Sequence, residues 1–152
     1  MKKIDSYLTF TLGNEYFTVN VANVLHILEV PEITKMPNSP KHVLGVMNLR
    51  GQVLPVIDPH PHFNIDNKDI TLDSCIVVLE IRNNEEQFQL GCLVDSVQEV
   101  MEFSEAQILP APDLGAKYDS NYIEGVIQNG DKFILILNVT EVFSELSIGL
   151  KN

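Results

Sequence analysis

The stretch Val43-Leu-Gly-Val-Met-Asn-Leu-Arg-Gly-Gln-Val-Leu-Pro-Val-Ile-Asp58 reads as two apolar strands folded back at Arg50-Gly51. Val43 to Leu49 and Val53 to Ile57 are rich in the branched residues that suit a pleated surface. Gly51 can supply the positive φ that a tight turn requires. Pro55 has no N–H for a ladder, so its strand should leave that side open at an edge or bulge. Polar groups are few: Asn48, Arg50, Gln52 and Asp58. A charged tip on an otherwise buried hairpin is either solvated or set to meet a partner.

On the N-terminal side, Tyr7 to Leu12 alternates as a strand, Gly13-Asn14 suits a hairpin turn, and Tyr16 to Val21 forms the return. Val21, Val24, Leu25 and Leu28 have helical spacing, while Val24 to Leu28 also alternates. One helical turn running into a strand satisfies both patterns. Pro31, Pro37 and Pro40 mark an irregular connection. On the C-terminal side, Pro59-His-Pro-His62 ends the second strand and a polar loop follows from Asn64 to Asp73. Cys75 to Ile81 is a continuous apolar strand, turned at Asn83 to Glu86 into the alternating run Phe88 to Val94. Val97 and Val100 extend the apolar pattern. Ser104 and Gln107 have capping-box spacing, with Pro110 and Pro112 limiting any helix to about one turn. Ile123 to Gln128, Asn129-Gly130 and Phe133 to Leu137 form a second clear hairpin. Asn138 and Glu141 set an N-cap for a C-terminal helix over 138–147, with Val139, Val142, Phe143 and Leu146 on one face.

The second half echoes the first. Val21-Ala-Asn-Val-Leu-His-Ile27 aligns with Val94-Asp-Ser-Val-Gln-Glu-Val100, and Gly45-Val46…Val56-Ile57-Asp58 with Gly125-Val126…Ile136-Leu137-Asn138. Ile33 with its prolines likewise matches Ile108, at an offset of about 70–80 residues. This predicts a mostly β chain: one domain, residues 1–152, made of two small β-barrels. The lobes are expected at about 14–70 and 71–137, with the N-terminal strand exchanged. A lobe of about 70 residues has little core to spare, so the two should share an apolar seam. Val24 with Val97, and Ile27 with Val100, either line a groove between the barrels or sit in plain core.

Composition narrows the function. At 152 residues, 45% hydrophobic and 20% charged, the chain should fold compactly. A net charge of −11 disfavours nucleic acid and anionic membrane surfaces, both of which select clustered Lys and Arg. No apolar run approaches the roughly 20 residues of a spanning helix. The start of the chain has no apolar signal core, so a cytoplasmic protein is expected. Cys75 and Cys92 fall in strand patterns and read as small buried hydrophobes. Asp58, His60 and His62 could form a metal-dependent enzyme site, with His26 and His42 recruited, but their prolines splay the backbone and no third ligand converges by spacing, so solvated loop histidines are the better reading. No Gly-x-Ser-x-Gly turn or phosphate loop is present. Asp95, Glu99 and Glu102 read as solvated acids, so no enzyme, cofactor or metal is expected. Arg50, one of only 10 Lys and Arg, protrudes beside apolar surface as an interface anchor would.

Ile33-Thr-Lys-Met-Pro37, Pro40, Gly45-Val-Met-Asn-Leu-Arg-Gly51 and Pro55-Val-Ile-Asp58 together resemble the CheW family of bacterial chemotaxis coupling proteins. Leu93-Val-Asp-Ser-Val97 and Ile108-Leu-Pro-Ala-Pro112 agree, and the resemblance runs from about Tyr7 to Phe143. It implies two intertwined SH3-like five-stranded β-barrels with short helices and a C-terminal helix. It implies no catalysis. It also implies an adaptor at receptor arrays on the inner face of the membrane. Its partners would be the cytoplasmic tip of methyl-accepting chemotaxis receptors and the regulatory domain of a CheA-type histidine kinase. The resemblance places partner contacts at Val24, Gly45, Arg50, Gly91, Val97, Val100 and Gly125, and His26, Ile27, Asn48 and Gly51 beside them are further candidates for partner binding. Two departures stand out: His26 where the family usually carries Glu, and Asp58-Pro-His60 where it commonly has Asp-Leu-Arg, which weakens one cationic contact. A CheW-like scaffold of a divergent two-component pathway, such as one for surface motility, is the alternative. The receiver domain of CheV adaptors is not expected.

Overall fold

Arg50 and Gly51 both take positive φ, 52° and 86°, and close a two-residue turn whose twist matches that of paired strands. The chain is described by a computed structural model covering residues 3–66, 69–83, 86–110 and 120–143. Its strands are β1 (Ile4–Leu12), β2 (Glu15–Asn20), β3 (Val24–Glu29), β4 (Val43–Leu49), β5 (Gln52–Ile57) and β6 (Cys75–Asn83). They continue with β7 (Glu86–Val94), β8 (Ser96–Ser104), β9 (Ile108–Leu109), β10 (Ile123–Asn129) and β11 (Lys132–Leu137). They form two sheets of order β8-β1-β2-β11-β10-β9 and β3-β6-β7-β5-β4. These are the two intertwined SH3-like barrels.

The repeat has a topological counterpart. Each sheet pairs its strands antiparallel except at one place: β11 with β2 in the first, β5 with β7 in the second. β3, β6, β7, β5 and β4 thus correspond to β8, β1, β2, β11 and β10. The bridge Thr34↔Val46 matches Leu109↔Val126. The lobe limits differ from those expected. β6 and β7 pair with β3 and β5, so residues 24–94 make one sheet. The whole hairpin β1–β2 joins residues 96–137. The break at 70–71 fails because the apolar strand β6 needs a neighbour on each side, and both lie in the second sheet.

Val21–Asn23 is a 3-10 turn capped by the Asn20 side chain, and it runs straight into β3 as its double periodicity predicted. Pro55 lies where β5 has partner Val46 on one side only. Pairing with β7 begins one residue later, at Val56↔Gly91, so the missing N–H breaks no ladder bond. In the other hairpin Asn129 pairs with Lys132, which puts the turn on Gly130-Asp131, one residue beyond the sequence reading. The Gln107 side chain accepts from Ser104 N–H at 2.8 Å and limits the following turn to Glu105–Gln107. Residues 139–143 are helical, with Asn138 Oδ1 accepting from Glu141 N–H at 3.2 Å. The expected remainder of that helix, including Leu146, lies outside the described residues.

Three cores hold the fold. Met47, Leu54, Val56, Ile76, Val78 and Leu93 fill the second barrel, and Tyr7, Phe103, Ile127, Ile134 and Ile136 the first. The largest draws on both sheets at once. Phe10, Phe17 and Leu135 there meet Val77, Leu90 and Val94, closed over by Val139, Val142 and Phe143. This is the shared seam. Phe63, carried on the 3-10 turn His60–Phe63 after β5, packs tilted against Phe17 of β2 with ring centroids 4.8 Å apart.

Candidate functional site

Because β3 and β8 are the outermost strands of their sheets, each has a side with no strand neighbour among the described residues. Their bulges are equivalent. Val24 faces Leu79 and Ile27 faces Val77, so four residues on β3 oppose three on β6. Val97 faces Phe10 and Val100 faces Leu8, the same count on β1. The extra residue changes the facing of the side chains within each strand. Val24 and Val97 accordingly pack on the shared core, while Ile27 and Val100 are 46% and 58% exposed. The four sequence candidates divide into two core residues and two surface residues. Leu25 and Glu29 are exposed on the Ile27 face, and His26 is half-buried between them.

The hairpin tip divides similarly. Asn48 Oδ1 accepts from Gly51 N–H at 2.8 Å, so Asn48 and Gly51 build the turn. Arg50 is exposed at its apex with no hydrogen bond or ion pair among the described residues. Val53, beside it, is also exposed.

Three candidates lie inside the barrels: Gly45, Gly91 and Gly125 are buried. A Cβ on Gly45 would lie 2.2 Å from Thr34 O, and one on Gly125 would lie 2.6 Å from Ile108 Cγ2. On Gly91 it would meet Ile76 and Met47 at 2.8 and 2.9 Å. These glycines let segments cross closely inside each barrel.

The histidines are corrected. His60 is 1% exposed, not solvated. Its Nδ1 meets Asp58 Oδ1 and its Nε2 lies 2.9 Å from Asp95 Oδ1. Pro59 and Pro61 do not splay the chain; they start the 3-10 turn, which Asn64 ends in the left-handed region at φ 53°. Asp95 was read as a solvated acid, yet it joins His60 to the β1–β2 turn, where its Oδ2 accepts from Gly13 N–H at 2.5 Å. Glu99 and Glu102 are exposed as expected. His62 points elsewhere, with its ring 5.4 Å from that of His42 and 5.8 Å from that of Tyr122. Asp58, His60 and His62 therefore do not converge on one point. Among the described residues no three His, Cys, Asp or Glu side chains are placed to hold a metal ion. The His60 ring, which stands where the family commonly has Arg, is used inside the protein. No signal local to Asp58-Pro-His60 identifies Asp95 as its partner, 35 residues away.

A protein-family model described as a CheW-like domain matches residues 6–147. The chain belongs to the CheW-like family. This CheW-like chain is 30% identical over 138 residues to the probable chemotaxis protein CheW of Rhizobium etli, covering 91% of this chain and 86% of that one. It is 30% identical over 136 residues to chemotaxis protein CheW of Rhizobium meliloti, covering 90% and 85%. The solved scaffolding protein TtCheW from Thermoanaerobacter tengcongensis superposes with a TM-score of 0.82 at 30% identity, over 93% of this chain and 88% of that one. No helix among the described residues of the CheW-like chain is long and apolar enough to cross a membrane.

Proposed function

We propose that this CheW-like chain is a non-catalytic adaptor. It couples the cytoplasmic tip of methyl-accepting chemotaxis receptors to the regulatory domain of a CheA-type histidine kinase, in the cytoplasm at the receptor array. The observation that carries this reading is the match along nearly the whole chain to relatives named chemotaxis protein CheW. The geometry supports it at two surfaces. Exposed Ile27 and Val100, at equivalent places on two outer strands, offer apolar anchors of the kind a helical tip buries. Arg50, an exposed guanidinium beside Val53, has the fork and the apolar surroundings of an interface anchor. The chemistry of the polar residues points the same way. The buried His60 spends both ring nitrogens on Asp58 and Asp95.

Affinity capture from native extract tests this, scored for a CheA-type kinase and a receptor. The wild-type chain should retain both. Ile27→Glu and Val100→Glu variants, whose positions are exposed, should fold normally and lose capture of at least one. Capture of neither protein by the folded wild type would overturn the reading.

A further inference from the structure

We propose that His60 is a proton-controlled latch between the two sheets, closed when its ring carries both protons. The argument begins with the geometry of the ring. A carboxylate can only accept, and both ring nitrogens of His60 face carboxylate oxygens. A neutral imidazole has one donor, so only the imidazolium can make both contacts. In the neutral form one nitrogen lone pair would face an oxygen lone pair. The ring has little water to compensate it, being 1% exposed.

The two carboxylates belong to different parts of the fold. Asp58 follows β5 in the second sheet and is buried. Its Oδ1 also accepts from the His60 backbone N–H at 3.0 Å, so that end is held whether or not the ring is charged. Asp95 stands between β7 and β8 with its side chain 31% exposed. It is bonded to the first sheet twice: its Oδ2 to Gly13 N–H, and its own N–H to Thr11 O at 3.0 Å. A line of hydrogen bonds thus runs from β5 through His60 and Asp95 to the β1–β2 turn. When the proton leaves, the Asp95 contact is the one released, because water can reach that carboxylate and the Asp58 end is held by the backbone; the Asp95 side chain, no longer fixed by the ring, then holds Gly13 N–H less firmly.

The titratable groups brought to this point by the packed elements are Asp58, Asp95 and the thiol of Cys92 on β7. Burial and the nearby Asp58 push that thiol upward, so it stays neutral. His42 adjoins the same point, its backbone carbonyl accepting from Asp58 N–H at 2.7 Å, and its ring lies edge-on to that of His62, 5.4 Å away. Burial alone would lower the His60 pKa, but the hydrogen bond and charge of Asp58, followed by those of Asp95, outweigh it and raise it above 6.5. A group raised on folding stabilises most below its unfolded value. The latch is therefore at full strength below about 6.5 and weakens as pH rises through the raised folded value. The opening equilibrium changes tenfold for about every pH unit between the two.

The test is an NMR titration of the full chain from about pH 5 to 9, the range that brackets histidine. It follows the His60 ring and the hydrogen exchange of the Gly13 amide, with a β2 amide as reference. The ring should titrate above 6.5, and Gly13 should lose protection relative to the reference with the same midpoint. A His60→Gln variant should show Gly13 exchange parallel to the reference throughout. Should that variant fail to fold, the wild-type titration decides alone. Gly13 protection unchanged across the His60 titration, or a ring titrating at or below 6.5, would overturn the proposal.

Discussion

Gly45 and Gly125 occupy the same place in the two sheets: each follows a bulge, in β4 and in β10, and each is crossed by another segment. The crossings are not equally tight. A Cβ on Gly45 would lie 2.2 Å from Thr34 O, whereas one on Gly125 would be 2.9 Å from Leu109 O. Gly45 also has φ 154°, at the limit of what an L side chain adopts. Gly45→Ala should therefore destabilise by about 2–4 kcal/mol and Gly125→Ala by less. Urea unfolding of the two variants checks the order, and equal losses would deny the difference in clearance.

Phe63 should matter beyond its own lobe. It leaves the second sheet on a 3-10 turn and buries its ring against Phe17 of the first. Phe63→Ala should cost about 3–5 kcal/mol. The loss should appear as a single lowered melting transition, because the core it damages belongs to both barrels. Two separated transitions would mean that the barrels unfold independently.

Arg50 should be dispensable for folding. Its turn is held by Asn48 and Gly51, and its side chain is exposed. Arg50→Glu should change stability by less than about 0.5 kcal/mol. It should weaken partner binding by roughly 2 kcal/mol or more, the scale of an interface anchor. Calorimetry against the isolated kinase regulatory domain reads this directly; unchanged affinity would remove Arg50 from the interface.

The two cysteines should differ in reactivity. Cys92 is fully buried and its thiol is held well above the ordinary range by burial, then by Asp58. Cys75, next to the loop before β6, is half-exposed. Thiolate is the reactive form. At neutral pH a maleimide should label Cys75 in the folded chain, with Cys92 labelled only after denaturation. Mass spectrometry of labelled peptides separates the two, and Cys92 labelling at a comparable rate would contradict its burial.

Short-range features were legible because their causes are local. Arg50-Gly51 closes a turn between strands two residues apart, and Asn138 caps the turn that follows it. The repeat was legible because equivalent bulges need equivalent spacings, as Val24/Ile27 and Val97/Val100 show. Pairing between distant segments was not. β6 carries no mark that assigns it to β3, and β1 no mark that assigns it to β8, since any apolar strand suits either neighbour. His60 was misread for the same reason. Two prolines made its surroundings resemble a loop, and the carboxylate that buries it stands on another connection.

The parallel pairing of β11 with β2 sets the order of synthesis against the order of assembly. Residues 4–20 leave the ribosome before the strands on either side of them, β8 and β11, which are made long afterwards. The strands of the 24–94 barrel are complete much earlier, so the opening hairpin must wait with its edges unpaired while its neighbour closes. Contacts between segments so far apart in the chain are slow to form. Until those strands arrive, the nascent hairpin keeps two open edges to which another strand could add.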